Sequence, residues 1–323
     1  MLSPRRRDPV ADLNLDCTES KENLISADQM KFPSVPRSIL LVLLACFFAP
    51  FLILDAGAES RVSNLYWAPP VATEGGKKTD ELLGFIFILT AAIFFLTQAV
   101  FIYYLIRYRR RAGVKAYYSH GNNALEIVWT ALPTVVFLGL AIWSNRVWEE
   151  LTQRPVPEDA LVVEIVGYQF AFDLRYAGAD QKLEEVALEK MTVENRFGMI
   201  REDFEMADDF TSTELVIPVG KPVHVVLRSR DVIHSFFVPE FRLYQDMVPG
   251  RTIDWMWFVT TRTGRFDLAC NQLCGTGHYN MKASIRVVSQ EEFDAWHKQK
   301  IAARQSQLTA LAAGKNDHLA AAQ

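Results

Sequence analysis

Two apolar runs, Leu82–Ile106 and Ala124–Val147, constrain this chain more than any other feature. Each is at least as long as the roughly 20 residues a helix needs to cross a bilayer. Between them stand Arg107, Arg109, Arg110, Arg111 and Lys115. Short loops rich in Lys and Arg stay on the cytoplasmic side of a membrane. The pair is therefore predicted to form a helical hairpin, residues 81–148, that starts and ends outside. Trp143 and Trp148 fall near its outer end, where amphipathic rings sit at the interface. Pro133 predicts a kink in the second helix. Glu126 opens that helix, a position where the helix dipole favours an acid.

Upstream, residues 1–38 are polar, are broken by Pro4, Pro9, Pro33 and Pro36, and carry Arg5-Arg6-Arg7. They read as a disordered cytoplasmic arm. Residues 39–58 hold a shorter apolar run interrupted by Pro50 and followed by Ala56-Gly57-Ala58. This is either a signal peptide with a long leader or an extra membrane anchor. Leu43-Leu44-Ala45-Cys46 also weakly resembles a lipoprotein processing box.

Past Pro155 the pattern changes. Leu161–Val166, Tyr168–Leu174, Glu214–Val219, Val223–Arg228, Ile253–Thr260, Arg265–Ala269 and Ala283–Val288 are short runs rich in β-branched and aromatic residues. They predict a sandwich or barrel over 155–290. An acidic, weakly patterned stretch, 178–209, interrupts it. Residues 291–302 read as helix, and the Ala-rich end to 323 as a tail. A net charge of -4 gives no reason to expect nucleic acid as a partner, and four cysteines are too few for a disulfide scaffold. No Cys-x-x-Cys-His run is present, so no covalently attached haem is expected.

The chemistry is concentrated in Cys270-Asn271-Gln272-Leu273-Cys274-Gly275-Thr276-Gly277-His278-Tyr279-Asn280-Met281. Thiolate and thioether are soft ligands, and imidazole suits copper as well as zinc. A structural zinc site closes with Cys and His and does not use Met. Met281 therefore points to copper, for which a weak axial thioether is familiar. One Cys is present beyond the need of a single blue copper, and two thiolates four residues apart in a loop can bridge a pair of coppers. A second His must come from elsewhere. His234, near the end of a strand-like run and followed by Phe236 and Phe237, is the best candidate. The competing reading of Cys270 and Cys274, a disulfide or two small buried hydrophobes, leaves His234, His278 and Met281 without a role. Gly275 and Gly277 suit a tight loop between ligands as well as an ordinary turn.

With these residues in view, the chain resembles subunit II of the haem-copper oxidases, from about Leu82 to Val288. The resemblance implies a membrane-anchored all-β fold: an N-terminal transmembrane helical hairpin followed by a cupredoxin-like Greek-key β-sandwich. It implies a dinuclear copper centre bridged by Cys270 and Cys274. His234 and Met281 would complete one copper, and His278 and the backbone carbonyl of Gln272 the other. It further implies haem-copper oxidase subunit I and other oxidase subunits as partners, cytochrome c or another small redox protein as electron donor, and membrane lipid around the hairpin. The setting would be the plasma membrane of a bacterium, with the β domain on the periplasmic side. Relatives use a Glu at the place of Glu126 as the mouth of a proton channel.

Two departures from the family pattern matter. Many relatives carry Glu where Gln272 stands, and its carboxylate reaches a magnesium ion. A neutral amide is a poorer ligand for that hard cation, so no magnesium is assigned here. Relatives that accept electrons from soluble cytochrome c usually carry Trp at the positions of Phe170 and Phe172. Phe170 is kept as a point where electrons arrive, alongside the plainer reading of both as core strand residues. The same module in a nitric oxide reductase, or a non-catalytic membrane-tethered copper-binding protein, are the other readings open at this point.

Overall fold

The structure is a computed structural model that describes residues 68–115, 118, 121–202 and 204–321. The arm 1–38 and the apolar run 39–58 lie outside the described residues.

The two long apolar runs form helices α1 (Glu74–Arg107) and α2 (Asn123–Thr152). Both carry a side-chain cap at the N-terminus. Thr73 Oγ1 accepts from the Gly76 N–H at 3.1 Å, and Asn122 Oδ1 accepts from the Leu125 N–H at 3.1 Å. Helix α2 continues through Pro133. At 1.5 Å per residue, α1 is about 50 Å long, more than the ~30 Å hydrocarbon core of a bilayer. Its surplus at the Glu74 end reaches the β domain. Along both helices the large apolar side chains point outward: Phe95, Ile106, Ile127, Val135 and Phe137 are all exposed. Such surfaces are stable against lipid or other apolar helices, not against water.

Ten strands form two five-stranded sheets. One has the order β3-β2-β1-β5-β8, from β1 (Leu161–Tyr168), β2 (Ala171–Tyr176), β3 (Phe210–Ser212), β5 (Pro222–Ser229) and β8 (Trp257–Val259). The other has the order β4-β10-β9-β6-β7, from β4 (Glu214–Pro218), β6 (His234–Val238), β7 (Leu243–Met247), β9 (Gly264–Ala269) and β10 (Lys282–Val288). The core lies between them. Val163 and Ile165 of β1, Val223, Val225 and Leu227 of β5, and Phe236, Leu268 and Ile285 of the opposite sheet are fully buried. The alternation along β5 is the period-2 pattern of a half-buried strand. Tyr176 joins the sheets: its hydroxyl donates to the Val216 carbonyl at 2.9 Å and accepts from the Val216 N–H at 2.8 Å.

Burial along β1 is continuous from Val163 to Gly167, because the strand is covered on both faces. The acidic stretch 178–209 packs on the outer face through its own small core of Val166, Phe197, Met199 and Ala207. Beside that core, Glu164, Arg175 and Arg228 form a buried ion cluster, joined by Asp209 at 2.5 Å from Arg175 Nη1. Burial alone pulls the Arg228 guanidinium down to about 10. Strands β3, β6 and β7 are additions to the sequence reading, and the predicted run Ile253–Thr260 contributes only β8 and an isolated bridge at Ile253. The last helix, α3 (Gln290–Ala321), is longer than the predicted 291–302.

Candidate metal centre

The ligand loop spans the gap between the antiparallel strands β9 and β10, whose pairing ends at Lys282↔Ala269. A Cys270 N–H bond to the Met281 carbonyl, 3.0 Å, closes its base. His234 is the opening residue of β6 and does not, as the sequence suggested, lie near the end of a strand. Strand β6 lies beside β9 through Phe237↔Ala269, which places the imidazole over the loop.

The structure brings all six predicted ligand residues together. Cys270 Sγ and Cys274 Sγ are 3.9 Å apart, and both thiols are free and buried. His234 Nδ1 lies 4.0 Å from Cys270 Sγ, and His278 Nδ1 lies 3.6 Å from Cys274 Sγ. Met281 Sδ is 3.8 Å from Cys274 Sγ, and the Gln272 carbonyl oxygen is 3.2 Å from Cys270 Sγ. The ligand atoms of His234, Cys270 and Cys274 all fall within 4.8 Å of one another.

This donor set fits copper. Sulfur bonds such metals at about 2.3 Å, so two sulfurs 3.9 Å apart can both reach one ion between them. Six donors exceed what a single tetrahedral ion takes, and a thioether among them is foreign to structural zinc. Burial, then the neighbouring Cys270, push the Cys274 thiol up to about 11. The thiol is therefore protonated at neutral pH in the metal-free chain, and metal uptake must release that proton.

A second layer of hydrogen bonds fixes the ligands. His234 Nε2 lies 2.8 Å from Asp231 Oδ1, so a carboxylate there holds the proton on Nε2 and leaves the Nδ1 lone pair toward the sulfurs. Burial opposes the Asp231 charge, but the Gln169 and Val232 N–H groups and His234 outweigh it and hold the carboxyl below its usual range. Gln169 Nε2 donates to the Cys274 carbonyl at 2.6 Å, and the Asn271 N–H donates to Ser235 Oγ at 2.6 Å. Sequence reasoning missed Asp231, Gln169 and Ser235. The one available signal was the acid three residues before His234.

Phe170 and Phe172 separate. Phe172 is buried in the core, whereas Phe170 is partly exposed and lies against the ligand loop. A Cβ on Gly277 would meet the Phe170 ring at 2.5 Å, and one on Gly275 would meet it at 2.9 Å. Gly275 also has φ +136, a region L side chains rarely adopt. The glycines are there to admit an aromatic ring. In the same loop, Leu273 and Tyr279 are 79% and 90% exposed, while Cys270, Cys274 and Met281 are buried. The Gln272 amide oxygen is 3.3 Å from the Tyr244 hydroxyl, which donates to Asp246 Oδ1 at 2.6 Å. Glu126 sits apart, exposed in the first turn of α2.

Residues 161–288 match the sequence profile of the cytochrome c oxidase subunit II periplasmic domain, and residues 64–147 that of its transmembrane domain. An alternative cytochrome c oxidase subunit 2 from Bradyrhizobium diazoefficiens is 36% identical over 249 residues, 73% of this chain and 84% of that one. The chain belongs to the cytochrome c oxidase subunit II family. A cytochrome c oxidase subunit 2 from Cereibacter sphaeroides is 34% identical over 251 residues, covering 72% of this chain and 78% of its own. Among solved structures, the periplasmic domain of subunit II of cytochrome oxidase from Bradyrhizobium japonicum is 29% identical, covering 45% of this chain and 96% of its own, with a TM-score of 0.33.

Membership carries the role of the family: the chain is the electron-transfer subunit of a cytochrome c oxidase-type complex, a haem-copper oxidoreductase. The nitric oxide reductase and copper-storage readings are not favoured. The His-Cys-Cys cluster in this family is a copper-binding site. The hairpin makes it a membrane protein with a periplasmic-type β domain.

Proposed function

We propose that the ligand loop holds two coppers bridged by Cys270 and Cys274, with His234 and Met281 completing one and His278 and the Gln272 carbonyl the other. What carries this reading is the pair of buried thiols 3.9 Å apart, each with a different imidazole nitrogen beside it. Coppers sharing both thiolates supply a one-electron centre whose charge change is spread over two metals. The chain's own residues do the rest. Asp231 holds the His234 proton away from the ligand face, Phe170 and the core side of the loop exclude water, and the two glycines let the ring close over the site. No magnesium is assigned, because Gln272 offers only a neutral amide.

In this reading a small redox protein, cytochrome c or one like it, docks over Leu273, Tyr279 and Phe170, and Phe170 is where electrons arrive. They continue to haem in subunit I, where oxygen is reduced. The Arg107–Lys115 loop faces the cytoplasm of a bacterium and the β domain faces the periplasm. Glu126, at the cytoplasmic start of α2, is the mouth of a proton channel.

The test is turnover of the purified complex with oxygen and nitric oxide offered separately. Electrons from a reduced donor are expected to reach oxygen, and Cys270→Ser is expected to stop them. Turnover with nitric oxide alone, or full oxygen turnover by Cys270→Ser, would contradict the reading.

A further inference from the structure

The β domain and the hairpin meet at the end of β8, through the Thr73↔Thr260 bridge, and at the turn between β6 and β7, residues Pro239–Arg242. Arg242 is the anchor. Its Nε donates to Asp80 Oδ1 at 2.7 Å and its Nη2 to Asp80 Oδ2 at 3.0 Å, a two-pronged grip on a carboxylate. The remaining donors reach the Pro69 carbonyl at 2.8 Å and the Pro239 carbonyl at 2.5 Å. Asp80 belongs to α1, 162 residues away in sequence and just outside the predicted membrane run, and it is only 5% exposed. Arg242 adopts φ +56, a left-handed conformation that a non-glycine residue holds only when its surroundings over-determine it. Here they do. Besides the four side-chain bonds, the Ala72 N–H donates to the Glu240 carbonyl at 2.7 Å, and Thr73 Oγ1 donates to the Phe241 carbonyl at 2.8 Å.

The gripped turn leads directly to the metal centre. Strand β6 runs back from it to His234, which pairs with Met247 of β7, a span of about 17 Å at 3.4 Å per residue. Phe237 of β6 pairs with Ala269, the residue before Cys270. Strand β6, through its pairing with β7 and β9, thus joins the turn to the domain that holds both halves of the ligand set, so the turn orients the centre together with its domain.

We infer that Asp80 and Arg242 are positioning residues: their ion pair fixes the orientation of the copper-bearing domain on the membrane hairpin, and hence the relation of the centre to the haem of the partner subunit. This rests on the proposed function in one respect, that electrons leave the centre for a haem held in the membrane.

The experiment uses the assembled oxidase and separates three readings: the copper spectrum, the rate of reduction by the donor, and the rate of internal transfer from copper to haem after flash reduction. Asp80→Asn and Arg242→Gly, the latter chosen because glycine accepts the left-handed turn, are expected to leave the first two unchanged. Each is expected to slow internal transfer by about tenfold, within what an ångström-scale misplacement costs. Asp80→Glu, which keeps the charge, is expected to recover most of the rate. Should Asp80→Asn fail to assemble, Arg242→Lys, which keeps the charge but loses the fork, is expected to give an intermediate rate. Wild-type internal transfer in Arg242→Gly or Arg242→Lys would overturn the inference. Absence of any copper spectrum in the unmodified chain would instead overturn the proposed function.

Discussion

Two loops interrupt the β-sandwich, and they are held in opposite ways. The ligand loop, 270–281, is short and tied by hydrogen bonds to three other segments, through Gln169, Ser235 and Tyr244. Its buried side chains are soft donors set against one another. The acidic stretch, 178–209, is long and carries its own apolar core, and it is pinned by ions already paired: Arg175 with Glu164 and Asp209, and Arg201 with Glu184. One loop is completed by a ligand and the other by the chain. The first should fail chemically when a donor is lost, with the fold retained. The second should fail structurally, with the copper chemistry retained.

The largest effect belongs to the ligand loop. Cys270→Ser or Cys274→Ser is expected to abolish the shared copper spectrum while circular dichroism of the copper-free chain is unchanged. Met281→Leu is expected to keep the spectrum and raise the reduction potential through loss of the axial thioether. If the serine variants unfold, the contrast between the loops is wrong.

Next in size is Glu164→Ala, which leaves Arg175 and Arg228 buried without their common partner. Breaking a buried pair from one side costs about 3–5 kcal/mol. A fall in Tm of the copper-free chain measures it, and an unchanged Tm would mean that the cluster is not what holds the insertion.

A smaller effect of about 1–3 kcal/mol is expected from Gly277→Ala, typical of overpacking, because the new methyl would strike the Phe170 ring. Adding Phe170→Ala to the same chain should restore stability and copper uptake. No recovery in the double variant would place the glycine's importance elsewhere.

The smallest change tests the surface of the insertion. Acids outnumber bases from Gly178 to Asp209, and a field of one sign speeds association with an opposite charge by roughly 10- to 1000-fold, less so as salt is added. Glu184 is tied to Arg201, so reversing it would disturb the fold; Glu185 and Glu189 are exposed. Glu185→Lys with Glu189→Lys is expected to slow reduction by a basic cytochrome c at low ionic strength, with internal transfer unaltered. An association rate indifferent to salt and to both reversals would remove the insertion from docking.

How legible each region was follows from how local its physics is. Five of the six ligand residues lie within twelve consecutive positions, so residue type and spacing were enough, and only His234 had to be sought elsewhere. The hairpin was legible for the same reason: length and apolarity are properties of one segment. Asp231 and Gln169 were not, because their roles exist only once the β1–β2 turn, the start of β6 and the ligand loop meet. Phe197 and Met199 have no periodic spacing, and Arg175 and Arg228 sit in strands where an Arg reads as solvent-facing. Strand β7, Leu-Tyr-Gln-Asp-Met, is too polar to stand out, and β6 shows no alternation because four of its five residues are buried. The Asp80–Arg242 pair spans two regions that the sequence presents as unrelated.

The proposed centre requires two thiolates to share two metals. The most direct measurement is copper content together with electron paramagnetic resonance of the full-length chain, purified in detergent and loaded with copper. The prediction is two coppers per chain and one unpaired electron whose hyperfine pattern shows coupling to both nuclei. One copper per chain, with coupling to a single nucleus, would contradict it.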